Sequence, residues 1–152
     1  MNVYVLRHAK AGSRSGGDGP DELRPLSKRG RKQAEALGDQ LADADVARIV
    51  SSPYVRCLQS VEPLAARLHV PIEKSDALAE GAPLREALRL VEKVSDQPTL
   101  LCTHGDVVEE LLAHAERQGV RLEGEGMEKG STWILSVEHG TIVGAKYLPP
   151  PA

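Results

Sequence analysis

Apolar residues recur along the chain in short runs separated by amphipathic stretches. Val3 to Leu6 reads as a buried strand, and Arg48-Ile49-Val50, running into Ser51-Ser52-Pro53, reads as a second. Thr99-Leu100-Leu101-Cys102 is a third strand, and Val70 to Glu73 a weaker fourth. Between these runs the apolar period changes from two to the helical value. Ala34, Leu37 and Leu41 share one face of a helix for which Ser27 is the expected N-cap. Pro83 suits the first turn of a helix carrying Leu84, Leu88 and Val91 on one stripe. Val107, Val108, Leu111, Leu112 and Ala115 mark a further helix, closed by Gly119. Trp133, Leu135 and Val137 then alternate before Glu138-His139-Gly140-Thr141, and Ile142 to Tyr147 follows, a pattern that predicts a terminal hairpin.

Strands alternating with helices predict an α/β fold: a three-layer α/β/α sandwich with a mainly parallel sheet, helices on both faces and an antiparallel hairpin near the C-terminus. In such sheets, ligands bind beyond the carboxyl ends of the strands. The segment from Gly12 to Glu22, rich in Gly and Asp, is expected to be a surface loop, and Pro149-Pro150-Pro151 a loose or extended tail. No repeat or long linker divides the chain, so one domain over residues 1–152 is expected.

Composition narrows the partners. The 152 residues are 41% hydrophobic and 27% charged, an ordinary globular mix, so disorder does not describe the whole. Only 3% are aromatic and none is Phe, which leaves the core to Leu, Val, Ile and Ala. A formal charge of -3 argues against binding to nucleic-acid polymers or membrane surfaces, so any anion site has to be local. Cys57 and Cys102 make no disulfide framework and no metal-ligand spacing; both are expected to be packed thiols in a reducing compartment. No apolar run reaches the length of a membrane span, and the N-terminus lacks a signal-peptide layout, so a cytoplasmic protein is expected.

The chemistry gathers at the predicted strand ends. Arg7-His8 lies where the first strand runs out, and Thr103-His104-Gly105 where another does. Ser52-Pro53-Tyr54-Val55-Arg56 follows a third strand and carries Arg56 into a helix start on the same edge. Two arginines and two histidines converging there serve no hydrophobic core. Guanidinium groups match phosphoryl oxygens with paired, charge-assisted hydrogen bonds. A neutral imidazole beside them is a good nucleophile, because nearby positive charge disfavours its protonated form. His8 is thus expected to attack phosphorus while Arg7, Arg56 and His104 hold the oxygens, helped by the N-terminal end of the helix after Gly105. A leaving alkoxide needs a proton, and Glu80 in Leu78-Ala79-Glu80-Gly81 is the candidate donor on that edge.

The segments "LRHA" at 6–9, "PLSKRGRKQAEAL" at 25–37, "SSPYVRCLQS" at 51–60 and "THG" at 103–105 together resemble the histidine phosphatase superfamily, whose fold is phosphoglycerate mutase-like. The likeness spans nearly the whole chain. It implies that His8 is phosphorylated in a catalytic cycle and that Arg7, Arg56 and His104 form the phosphate pocket. Most members have Gly after the histidine; Ala9 here is similar to the small bacterial phosphohistidine phosphatases. "RHAKAGSR", "LAEGA" and the ending "KGSTWIL…YLPP" resemble more closely the histidine phosphatase domain that follows a Nudix domain in some bacterial proteins. These 152 residues contain no Nudix part, and a free-standing relative is expected.

The expected function is a metal-independent phosphatase acting on a phosphate monoester or phosphoramidate, with no cofactor. The substrate would be a small phosphorylated metabolite, a nucleotide or a phosphorylated protein. The alternative is a phosphate-binding regulatory module with little turnover; a phosphoglycerate mutase fits poorly, since the chain is too short for the insertions that cover such substrates. Lys10, Ser13 and Arg14 form a possible substrate rim, whereas Lys28-Arg29 and Arg31-Lys32 read as a solvated helix face. His69, His114 and His139 are assigned structural or exposed roles, and Asp106 near His104 lacks the further ligands a metal would require.

Overall fold

A computed structural model describes residues 1–12 and 19–152. Seven strands form one sheet in the order β3-β2-β4-β1-β6-β7-β5, with β1 at Asn2–Arg7, β2 at Arg48–Ser51, β3 at Ile72–Lys74, β4 at Thr99–Thr103, β5 at Leu122–Glu123, β6 at Thr132–Glu138 and β7 at Thr141–Leu148. The β3-β2-β4-β1 half is parallel; β6 runs antiparallel to β1 and pairs with β7 as the expected hairpin. The predicted sandwich is therefore observed, with a short β5 along β7 that carried no sequence signal.

Among the described residues four α-helices cover the sheet: α1 at Lys28–Leu41, α2 at Val55–Leu68, α3 at Leu84–Val94 and α4 at Gly105–Arg117. Because successive side chains of a strand point to opposite faces, each central strand feeds two cores. Val3 and Val5 of β1 pack with Leu101 against Val91 of α3 and Val107, Val108 and Leu111 of α4. Tyr4 and Leu6 pack with Ile49, Leu100 and Cys102 against Leu37 and Leu41 of α1 and Cys57, Val61 and Leu64 of α2. Both faces of β1 and β4 are thus buried, which is why those strands read as continuous apolar runs rather than alternating ones.

Ser27 caps α1 as expected, its Oγ accepting from Gly30 N–H at 3.0 Å. Pro83 is one position earlier than expected: it is the residue before α3, extended at ψ 146°, not a member of the first turn. The weak fourth strand also moves. Its pairing begins at Ile72, because His69 turns left-handed at φ 57° and Val70 N–H is used to close α2 on Ala65 O. The predicted surface loop ends in a turn of 3-10 helix at Asp21–Leu23, and Ala11 and Leu26, which flank the loop, bridge each other. No helix among the described residues is long and apolar enough to cross a membrane.

Candidate active site

β1, β2 and β4 run parallel, so their carboxyl ends open on one edge of the sheet. His8 follows β1 there, its N–H donating to Thr103 O at 3.0 Å at the end of β4, and Ser52 N–H donates to Cys102 O at 2.9 Å, tying in the end of β2. α2 starts at Val55 and presents Arg56 in its first turn; α4 starts at Gly105 with His104 before it. Residues separated by up to 97 positions in sequence are brought together by strand order alone.

His8 is buried, and its Nδ1 lies 2.7 Å from Ala9 O. A carbonyl can only accept, so the ring proton is on Nδ1 and Nε2 of the neutral ring keeps its lone pair. Burial pulls the His8 pKa down to about 3; the charges of His104, Arg56 and Arg7 act in the same direction, and the bond to Ala9 O opposes them. The His104 ring stands edge-on to it, 5.4 Å between centroids. His104 is buried beneath the site, with Nε2 2.9 Å from Ser52 Oγ and 3.6 Å from Cys57 Sγ, and with Tyr54 edge-on at 4.6 Å. Cys57 and Cys102 are buried free thiols, as expected.

Arg56 is fully buried. Its Nη1 donates to Asp21 O at 2.9 Å, its Nη2 to Asp21 Oδ2 at 3.0 Å and to Glu80 Oε1 at 3.4 Å, and its guanidinium lies 4.9 Å from the centre of the Tyr54 ring. A buried cation is tolerable only when so surrounded by carboxylates and a ring face. Arg24 bonds Asp21 Oδ1 at 2.9 Å, and that bond, with the charge of Arg56, holds the Asp21 carboxyl below its ordinary range.

Arg7 is anchored through Nη1 to Met127 O at 2.6 Å. Its guanidinium lies against Gly105 so closely that a Cβ there would come within 2.9 Å of Cζ, so the glycine of the Thr-His-Gly run makes room for the arginine. Arg7 Nε, Arg56 Nε and His104 Nδ1 are buried without a hydrogen-bond partner among the described residues. An unmatched buried polar group costs roughly 1–3 kcal/mol, so three within one constellation mark a site built for something other than stability.

Glu80 reaches this edge on a loop fixed at two points: Thr103 Oγ1 donates to Leu78 O at 2.6 Å, and Gly81 N–H donates to Asp106 Oδ2 at 2.8 Å. The carboxylate of Asp106 is thus engaged with backbone. A cavity of about 360 Å³ opens here, lined by Arg7, His8, Arg24, Arg56, Glu80 and Lys129 among others. Of the residues named from sequence, Arg7, His8, Arg56 and Glu80 line this cavity, while His104 lies outside its lining, with its ring against that of His8. Lys10 does not line this cavity but a neighbouring one, and Ser13 and Arg14 lie outside the described residues. His69 ends α2, His114 lies on α4 and His139 is in the β6–β7 turn, all three outside the cavity lining.

Asp21, Arg24 and Lys129 escaped the sequence reading. Asp21 sits in the Gly12–Glu22 segment, whose only visible signal was loop-like composition, Arg24 just beyond it, and Lys129 in the connection before β6. Asp21 reaches Arg56 across 35 residues of chain, a separation for which no local pattern exists.

The model of the histidine phosphatase superfamily (branch 1) matches residues 3–83. An 8-oxo-(d)GTP phosphatase of Mycolicibacterium smegmatis is 42% identical over 155 residues, covering 98% of this chain and 48% of that protein. The chain spans less than half the length of the curated relatives it matches. Among solved structures, the protein histidine phosphatase SixA complexed with tungstate superposes with a TM-score of 0.79 at 17% identity, covering 100% of this chain and 97% of that one. A putative phosphohistidine phosphatase SixA from Agrobacterium tumefaciens gives 0.72 at 25% identity, covering 88% and 90%. The phosphoglycerate mutase-like architecture is shared with these structures, and on the match of its model to more than half of the residues the chain belongs to the histidine phosphatase superfamily.

Proposed function

We propose that this chain is a phosphatase that hydrolyses a phosphate ester through a phosphohistidine on His8. The observation that carries the reading is the His8 imidazole itself: neutral, with its proton committed to Ala9 O on Nδ1, and surrounded by Arg7, Arg56 and His104. Nε2 attacks phosphorus as the bond to the leaving oxygen breaks, and the phosphoryl group passes to nitrogen. Arg7 and Arg56 neutralise the non-bridging oxygens during transfer. In the tautomer in which Ser52 Oγ donates to His104 Nε2, the unpartnered Nδ1 carries the N–H that an oxygen would accept. Glu80 gives its proton to the departing alkoxide and, as carboxylate, then takes one from the water that cleaves the P–N bond, which returns neutral His8 and free phosphate.

The substrate is a phosphorylated small molecule, a nucleotide included; the 42% identity to a protein named 8-oxo-(d)GTP phosphatase supports that class over a protein substrate. The site belongs to one domain spanning residues 1–152.

The test is chemical. With labelled substrate and rapid acid-free quenching, wild type should trap a phosphoramidate that is lost in acid, and His8→Ala should trap none and hydrolyse phenyl phosphate at least about 10³-fold more slowly. Undiminished hydrolysis by His8→Ala, or an acid-stable label, would refute the mechanism. No hydrolysis of any ester alongside retained phosphate binding would favour a regulatory module instead.

A further inference from the structure

Beside the His8 cavity lies a second one, about 540 Å³, whose walls include Lys10, Arg29, Lys32, Gln33, Glu128 and Lys129. Four of these side chains are cationic and one is a carboxylate. Lys129 lines both cavities, and Lys10 follows His8 by two residues, at most roughly 7 Å of chain, so the basic groove begins at the rim of the phosphate pocket.

The groove is braced. Gln33 spans its floor, accepting from Lys10 N–H at 3.0 Å through Oε1 and donating to Lys129 O at 2.8 Å through Nε2. Ser27 N–H and Oγ both bond Lys10 O, at 3.0 and 3.1 Å, which holds the start of α1 against the His8 segment. α1 then presents Arg29, Lys32 and Gln33 to one side at helical spacing. Its first turn, like that of α2 at the phosphate pocket, has no acidic residue, whereas α3 and α4 carry Glu86 and Asp106 there. Cations at a helix start oppose the helix dipole by roughly 0.3–1 kcal/mol each, a cost that a bound anion would offset.

We propose that this groove is the subsite for a second phosphate group of the substrate, held by Lys10, Arg29 and Lys32 while the scissile phosphate lies at His8. The inference rests on the phosphatase reading and names its substrate class: a small molecule carrying at least two phosphates. A nucleoside diphosphate and a sugar bisphosphate share that chemistry.

Binding is measured in the His8→Ala protein, which cannot turn the ligand over, by calorimetry with ADP against AMP and fructose 1,6-bisphosphate against fructose 6-phosphate. The second phosphate should tighten binding about 10-fold or more, and Arg29→Glu/Lys32→Glu in the same background should return the ratio towards one. A gain confined to the ADP pair assigns the nucleotide source, and a gain confined to the sugar pair assigns the other; both support the subsite. Equal affinity for one and two phosphates in both pairs, or a gain untouched by the charge reversals, overturns it. Arg29→Gln/Lys32→Gln, a milder change, repeats the measurement if the reversal unfolds α1, and the ratio of kcat/KM between two-phosphate and one-phosphate substrates in otherwise wild-type protein should fall in parallel. A failed phosphatase reading would instead appear as phenyl phosphate hydrolysis indifferent to His8, whatever the binding ratios.

Discussion

Acidification tests the electrostatic basis of the site. His8 has an ordinary pKa of 6.5 when unfolded and about 3 in place, so between those values the unfolded chain binds a proton that the folded one refuses. The sign follows: stability from this group is complete above about pH 7.5 and is lost as pH falls through 6.5 towards 3. At pH 5 the unfolded imidazole is protonated about thirty to one while the folded one is neutral, which removes about 2 kcal/mol relative to pH 8. That figure scarcely changes if the folded pKa is 4 rather than 3, because at pH 5 both leave the folded ring uncharged. The assay is urea unfolding of wild type and His8→Asn at pH 8, 6.5, 5.5 and 5. Carboxylates and the other histidines titrate in both proteins, so the difference between the two curves isolates His8. Wild type should lose about 2 kcal/mol more than His8→Asn between pH 8 and pH 5. Parallel curves, within about 0.5 kcal/mol, would show that His8 is not held neutral by burial and its cationic neighbours, and would remove the basis for its nucleophilicity.

Two further expectations address Glu80 and the fit of α1. Glu80→Gln should slow phosphoryl transfer from an alkyl phosphate to His8, read as the pre-steady-state burst, by about 10²- to 10⁴-fold while affecting the burst from a phenyl phosphate far less, since a phenolate leaves without a proton; equal effects on the two bursts would remove Glu80 as the acid. Gly30→Ala should destabilise the protein even though alanine is the better helix former by about 1 kcal/mol, because the added Cβ would lie 1.8 Å from Lys10 O, on backbone that cannot swing aside. Thermal unfolding reads the sign directly, and a raised Tm would contradict the close approach of α1 to the His8 segment.

The local patterns of the chain were sufficient for its layers and for its most chemically unusual residues. Apolar runs at Val3–Leu6 and Thr99–Cys102 could be satisfied only by strands covered on both faces, and the parallel order of that half of the sheet puts the carboxyl ends of β1, β2, β3 and β4 on one edge. Arg7, His8, Arg56 and His104 were legible because each sits at or just past the end of a strand or at the start of the helix that follows one, so their convergence needed topology and no side-chain detail. What surrounds them was not legible. Asp21 reaching Arg56, Met127 O receiving Arg7, and Asp106 holding the Glu80 loop are contacts between loops far apart in sequence, and loops have no period from which a partner can be read. The charges on α1 show the same division. Sequence registers Lys28-Arg29 and Arg31-Lys32 as a polar helix face, and only the packing of Gly30 and Ser27 against Lys10 turns part of that face towards the phosphate pocket. Periodicity reports which side of an element is buried; which exposed side chains meet across a cavity depends on where the elements come to rest.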